Sequence, residues 1–227
     1  MQMFSVYVTG TDTGIGKTLA SSALLHALRD HGLRAIGMKP VASGCEYVDV
    51  QWRNADALAL LAASDPRPDY ADLNPYALPL PLAPELAASD AGIEVSLQGL
   101  LDAHARLATQ ADALVVEGVG GWAAPLSETL MQADFVHALR MPVLLVVGLR
   151  LGCLNHALLS ARAIANDGAH LAGWVASHVD PDMERVADNL RMLRERLPAP
   201  CWGVLPHAVD PDPALMATCL RLPMLAQ

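Results

Sequence analysis

The chain is expected to fold as an α/β protein, with a mostly parallel sheet covered by helices on both faces. Two observations lead there. Short apolar runs alternate along the chain with longer segments whose apolar residues recur at helical spacing. Two of the runs, Ala113–Glu117 (ALVVE) and Pro142–Val147 (PVLLVV), are continuously apolar, as strands covered on both faces require. Composition agrees: 53% of the 227 residues are hydrophobic but only 4% are aromatic, so the core must be built from Leu, Val, Ala and Ile. The length suits one domain spanning residues 1–227.

The order of elements follows from these patterns. Met3 to Thr9 reads as a first strand, and Gly16 to Asp30 as a helix with Leu19, Ala23, Leu24, Ala27 and Leu28 on one face, stopped at His31-Gly32. Ala35 to Lys39 is a strand ended by Pro40, and Asn54 to Ala63 a helix. Ser64 to Pro84 carries six prolines and no sustained period; it is expected to be an ordered loop crossing the domain. Helices are expected at Ser96 to Gln110, Leu130 to Leu139, Leu154 to Asn166 and Met183 to Leu197. Further strands are expected at Leu171 to Val175 and Cys201 to Leu205, with a helical segment from Pro213 on.

Charge and cysteine usage exclude several function classes. A net charge of −9 leaves no basic surface for a nucleic-acid duplex. Cys45, Cys153, Cys201 and Cys219 form no C-x-x-C pair, which disfavours a zinc ribbon or thioredoxin motif and fits free thiols in a reducing compartment. The N-terminus MQMFSVYVTG reads as a strand, not a signal peptide, and no 18-residue apolar run is present. A cytoplasmic location with no membrane contact is therefore expected. His26, His104, His137 and His170 are scattered and suggest no metal site.

Chemistry is concentrated in Gly10-Thr11-Asp12-Thr13-Gly14-Ile15-Gly16-Lys17-Thr18, which follows the first strand and opens the first helix. A glycine-rich turn there lets backbone N–H groups surround phosphate oxygens at a helix N-terminus. Gly14, Ile15, Gly16, Lys17, Thr18 and Leu19 are the expected nucleotide-binding run, with Lys17 on the β- and γ-phosphates and the Thr18 hydroxyl on Mg²⁺. Five residues separate Gly10 from Gly16, one more than in the generic P-loop. Glu117 ends a central strand and precedes Gly118-Val119-Gly120-Gly121, so its carboxylate can reach the same cation.

Two further segments, Gly37-Met38-Lys39-Pro40-Val41-Ala42-Ser43-Gly44 and Leu151-Gly152-Cys153-Leu154-Asn155-His156-Ala157, complete a set with GTDTGIGKT, RNADALAL and EGVGGWAAPL. In that order the five segments resemble the dethiobiotin synthetase family, a P-loop NTPase-like fold, from the first strand to about Leu205. The resemblance implies an ATP-dependent ligase that closes a cyclic urea on 7,8-diaminopelargonic acid with CO2, supplied as bicarbonate. It implies Lys17 and Lys39 beside the transferring phosphoryl group, and Mg²⁺ on Thr18, Asp56 and Glu117. It implies Thr13 and Ser43 on the carbamate and amines, and Gly118, Val119 and Gly120 along the nucleotide. It further implies a homodimer in which Gly152, Cys153, Leu154 and Asn155 of one subunit hold the substrate tail in the other's site; a helix N-terminus near Leu154 suits a remote carboxylate.

At the base end the chain departs from the family pattern. Ser177-His178 stands where members using ATP often carry Asn-Asp, and one hydroxyl offers less than an amide does to adenine. Base discrimination is then either weaker or left to backbone groups near Leu205, Pro206 and His207. Trp122 reads as packing or as a shield over the site. The rival reading is a switch-type P-loop ATPase of the partition or septum-site class; those carry an extra lysine early in the loop, where this chain has Thr11-Asp12-Thr13.

Overall fold

A computed structural model describes residues 3–222. The chain begins with β1 (Phe4–Gly10), α1 (Lys17–Asp30) and β2 (Ala35–Met38). A peripheral stretch follows: β3 (Val41–Ser43), β4 (Glu46–Val48), β5 (Gln51–Arg53), α2 (Ala55–Ala63), α3 (Tyr70–Leu73), β6 (Tyr76–Leu78) and α4 (Pro84–Ala91). Then come α5 (Leu97–Ala108), β7 (Ala113–Glu117), α6 (Gln132–Leu139), β8 (Val143–Gly148) and α7 (Cys153–Asn166). The described chain ends with β9 (Leu171–Ser177), α8 (Val186–Arg196), β10 (Cys201–Leu205) and α9 (Pro213–Ala217).

Among the described residues, six strands form one parallel sheet in the order β10-β9-β8-β1-β7-β2. Residues two apart along a strand share a face, and the core divides accordingly. Val6, Val8, Ala113, Val115, Leu144 and Val146 pack with α1, α2 and α9 on one side. Tyr7, Leu114, Val116, Leu145 and Val147 pack with residues of α5, α6, α7 and α8 on the other. Each fully buried Val or Leu contributes about 1.5–3 kcal/mol relative to exposure.

Where sequence and structure differ, the differences lie at the periphery. The Ser64 to Pro84 crossing is not a plain loop: it contains α3, capped by the Asp69 carboxylate on the Ala71 N–H (3.0 Å), and β6, which pairs with β3. The β4–β5 hairpin and α4 were not expected either. Three-residue strands carry too little alternation to register as a pattern, and β4–β5 is largely exposed. The helix expected from Pro213 on is a five-residue α9; residues 223–227 lie outside the described residues. The remaining expected elements form within a few residues of the expected bounds. All four cysteines are free thiols, and no helix among the described residues is long and apolar enough to cross a membrane.

Candidate active site

Sheet register builds the site. β1 runs between β7 and β8, so the loop leaving Gly10 emerges between two other strand ends, the position where open α/β sheets bind ligands. Pairing of Val8 with Glu117 sets that carboxylate beside the base of the loop. Pairing of Met38 with Val116 then brings the next residue, Lys39, level with Glu117. Residues 78 apart in sequence thereby meet, with Lys39 Nζ donating to Glu117 Oε1 at 2.6 Å.

The loop ends at Gly16, whose left-handed φ of 82° opens α1 without a side-chain cap. The first N–H groups of α1 are therefore free to meet an anion. A Cβ at Gly16 would run into Ser177 Oγ, so the position admits only glycine. Lys17 is buried, and its Nζ donates to the Asp12 carbonyl at 2.8 Å. Burial and then the neighbouring charge of Lys39 lower its pKa to about 8, against the pull of Glu117, Asp56 and Asp12. The Asp12 carboxylate also pairs with Arg150, just beyond β8.

Four further groups converge on Lys17. Glu117 is fully buried; its Oε1 accepts from Thr18 Oγ1 (2.9 Å) as well as from Lys39, while its Oε2 is buried without a partner among the described residues. Lys39 Nζ also donates to Asp56 Oδ2 (3.0 Å) and the Gly118 carbonyl (3.3 Å). Burial would lower the Lys39 pKa, but Glu117 and Asp56 outweigh it and hold the ammonium above its usual value. Burial likewise pushes Asp56 up, and Lys39 reverses that. Asp56 sits in the first turn of α2, whose N-cap Asn54 accepts from the Asp56 and Ala57 N–H groups. Ser43 Oγ, at the end of β3, is buried without a partner among the described residues.

A cavity of about 720 Å³ opens beside these groups, and Glu117 alone of the charged ones is not part of its lining. Thr13, Gly14, Gly16, Lys17, Thr18, Lys39, Ser43, Asp56, Val119 and Gly120 form part of its lining. Its remaining wall includes Pro81 to Pro84, from the proline-rich crossing. An oxygen set of one hydroxyl and two carboxylates, one with an orphaned buried atom, suits a hard cation such as Mg²⁺.

Other expected residues lie elsewhere in the single chain. Ser177, His178 and Leu205 come together at the ends of β9 and β10, where the His178 N–H donates to the Leu205 carbonyl (3.0 Å) and the His178 and His207 rings lie 6.1 Å apart. Ser177 is tucked against Gly16. Gly152 to Asn155 form the start of α7, again opened by a left-handed glycine (φ 93°) with no side-chain cap, and they do not line the cavity. Leu151 beside them is 95% exposed. Trp122 packs: it is buried, donates from Nε1 to Asp167 Oδ2 (2.6 Å) and stands edge-on to Tyr7. Sequence reasoning missed Asn54, the Asp12–Arg150 pair and the proline wall. Asn54 alone had a local signal, a capping residue two positions before Asp56.

A family profile described as an AAA domain matches residues 5–214. The ATP-dependent dethiobiotin synthetase BioD of Xanthomonas euvesicatoria pv. vesicatoria (strain 85-10) is 64% identical over 223 residues, covering 98% of this chain and 100% of that protein. The protein of the same description from Xylella fastidiosa (strain 9a5c) is 60% identical, covering 97% of this chain and 98% of its own. Among solved structures, the MinC:MinD cell division protein complex of Aquifex aeolicus aligns with a TM-score of 0.54 at 10% identity, over 91% of this chain and 82% of that one. The signal recognition particle receptor FtsY of Elizabethkingia anophelis in complex with GDP aligns with a TM-score of 0.52 at 14% identity, over 98% of this chain and 61% of that one. This chain thus spans about three fifths of the FtsY chain, and at such identities these two likenesses speak to fold alone.

Proposed function

The chain belongs to the ATP-dependent dethiobiotin synthetase family, and from that premise we propose how its residues divide the work of closing a ureido ring on 7,8-diaminopelargonic acid. The observation that carries the division is the convergence of Lys17, Thr18, Lys39 and Asp56 on one cavity, with the buried Glu117 carboxylate bonded to Thr18 and Lys39.

One amine of the substrate adds to CO2, loses a proton and becomes a carbamate. The carbamate oxygen attacks the γ-phosphorus of ATP; the bond to ADP breaks and a carbamic–phosphoric anhydride forms. The neighbouring amine attacks the anhydride carbonyl, phosphate leaves with the bonding pair, and a proton is lost as the ring closes. The substrate supplies both nucleophiles, so the protein's task is positioning and charge neutralisation. Lys17 and Lys39 bring cations to the transferring phosphoryl group. The uncapped start of α1 and the P-loop amides hold the phosphates. Thr13 and Ser43, which both line the cavity, contact the carbamate and the amines. Thr18, Asp56 and Glu117 would hold Mg²⁺, which when bound neutralises phosphate charge.

At the base end, Ser177, His178 and the Leu205 to His207 turn face the nucleobase. We further propose a homodimer in which Gly152 to Asn155 of one subunit receive the substrate carboxylate at the partner's cavity. The open N-terminus of α7, the exposure of Leu151 and the absence of this segment from the lining of its own cavity support that reading.

Purified protein with 7,8-diaminopelargonic acid, bicarbonate, Mg²⁺ and ATP is expected to give dethiobiotin and phosphate in equal amounts, followed by mass. GTP and CTP in the same assay test the base end. Hydrolysis of ATP without dethiobiotin would remove this reading and favour a switch-type ATPase.

A further inference from the structure

Gln132, the first residue of α6, has no part in the roles above, yet its side chain is buried and both ends of its amide are engaged. Its Oε1 accepts from the Tyr7 hydroxyl (2.6 Å) and from the Val119 N–H (2.8 Å). Its Nε2 donates to the Gly121 carbonyl (2.6 Å) and, at 3.5 Å, to that of Trp122. Because Val119 presents a donor and Gly121 an acceptor, the amide can sit only one way round, and an apolar or acidic side chain of similar size would leave a partner unmatched. The helix start that carries Gln132 is fixed in turn by Asp134 Oδ2, which accepts from the Met131 N–H at 2.7 Å.

The segment gripped in this way is the glycine loop after Glu117. It lies so close on the pair that a Cβ at Gly118 would stand 2.5 Å from the Tyr7 hydroxyl and 2.6 Å from Gln132 Oε1. On its other side the loop meets the reacting groups. The Gly118 carbonyl accepts from Lys39, Val119 and Gly120 line the cavity, and a Cβ at Gly120 would stand 3.8 Å from Thr13 Oγ1.

We propose that Gln132 is a positioning residue for the reaction: its amide clamps the Gly118 to Gly121 loop at the separation from the P-loop at which Lys39 and Thr13 face the reacting groups. The inference rests on the site roles proposed above.

Gln132→Leu keeps the volume and removes every hydrogen bond of the amide. Because small displacements of reacting groups are costly, turnover is expected to fall about 10-fold or more, while KM for ATP, set by the P-loop's own amides, stays within about threefold. Hydrogen exchange of the intact protein is expected to show lost protection over residues 118–122 and retained protection over residues 10–18. Gln132→Glu gives a second readout. Its carboxylate opposes the Gly121 carbonyl at alkaline pH, whereas its protonated form donates to it, so activity relative to wild type is expected to recover as pH falls. Tyr7→Phe, which removes one donor and keeps the ring on Trp122, is expected to lose turnover in the same sense but by less, and it serves should Gln132→Leu not fold. Wild-type turnover with unchanged exchange at 118–122 overturns the proposal, as does an equal loss of protection in both loops. If the wild type makes no dethiobiotin, the site roles fail, while the exchange data still decide whether Gln132 holds the loop.

Discussion

Lys17 shows how one residue is made useful at a cost in stability. Burial and the charge of Lys39 bring its pKa to about 8 in the free protein. The kcat/KM for ATP reports ionisations of the free enzyme, so it is expected to decline above about pH 8 as Lys17 loses its proton. Lys39, held above its usual value, remains charged there. A profile flat to pH 9.5 would contradict the assignment. The stability effect has the opposite sense. Because the folded pKa lies below the unfolded one, charged Lys17 costs stability below about pH 8, and that cost fades as pH rises towards about 10.5. Lys17→Met is therefore expected to reduce turnover on the order of 10²-fold while leaving the melting temperature at pH 7 unchanged or raised.

At the scale of elements, short caps and strand ends decide where the charges sit. Asn54 caps α2 through the Asp56 and Ala57 N–H groups, its amide donates to the Ser43 carbonyl (3.3 Å), and its own N–H reaches the Tyr70 hydroxyl. Asn54→Ala is expected to cost about 1 kcal/mol of stability, as loss of an N-cap does, and to raise the Mg²⁺ concentration needed for half-maximal rate because Asp56 shifts. Denaturant unfolding and a magnesium titration measure the two effects; a stability loss without a magnesium effect would detach Asp56 from the metal. The proline-rich crossing illustrates the limit of pattern reading at this scale. Ser64 to Pro84 has no period, yet it supplies β6 and a wall of the cavity, because strand pairing and packing against other elements, not local propensity, order it.

For the whole molecule, the question is whether one chain contains the complete site. Gly152 to Asn155 do not line the cavity of their own chain. If these residues serve the partner's site, Lys39→Ala and Asn155→Ala subunits, each nearly inactive alone, are expected to regain activity when mixed and exchanged. A hybrid dimer pairs an intact Lys39 with an intact Asn155 in one of its two sites. Mixing without any gain would place the tail contact within one chain or remove it.

The sequence by itself determined the α/β class, the central strands, the P-loop and the strand-tip Glu117, because each is a local pattern: continuous apolar runs, helical spacing, glycines before a Lys-Thr pair. Through resemblance it also named Lys39, Asp56, Ser43 and the α7 start. Only the tertiary structure decided that Lys39 lies 2.6 Å from Glu117, that Ser177 backs onto Gly16 and that Gln132 grips the glycine loop. Those contacts join residues separated by about ten to more than a hundred positions, and the longest of them are set by strand order and register, which arise from how the two faces of the sheet are buried rather than from any one segment.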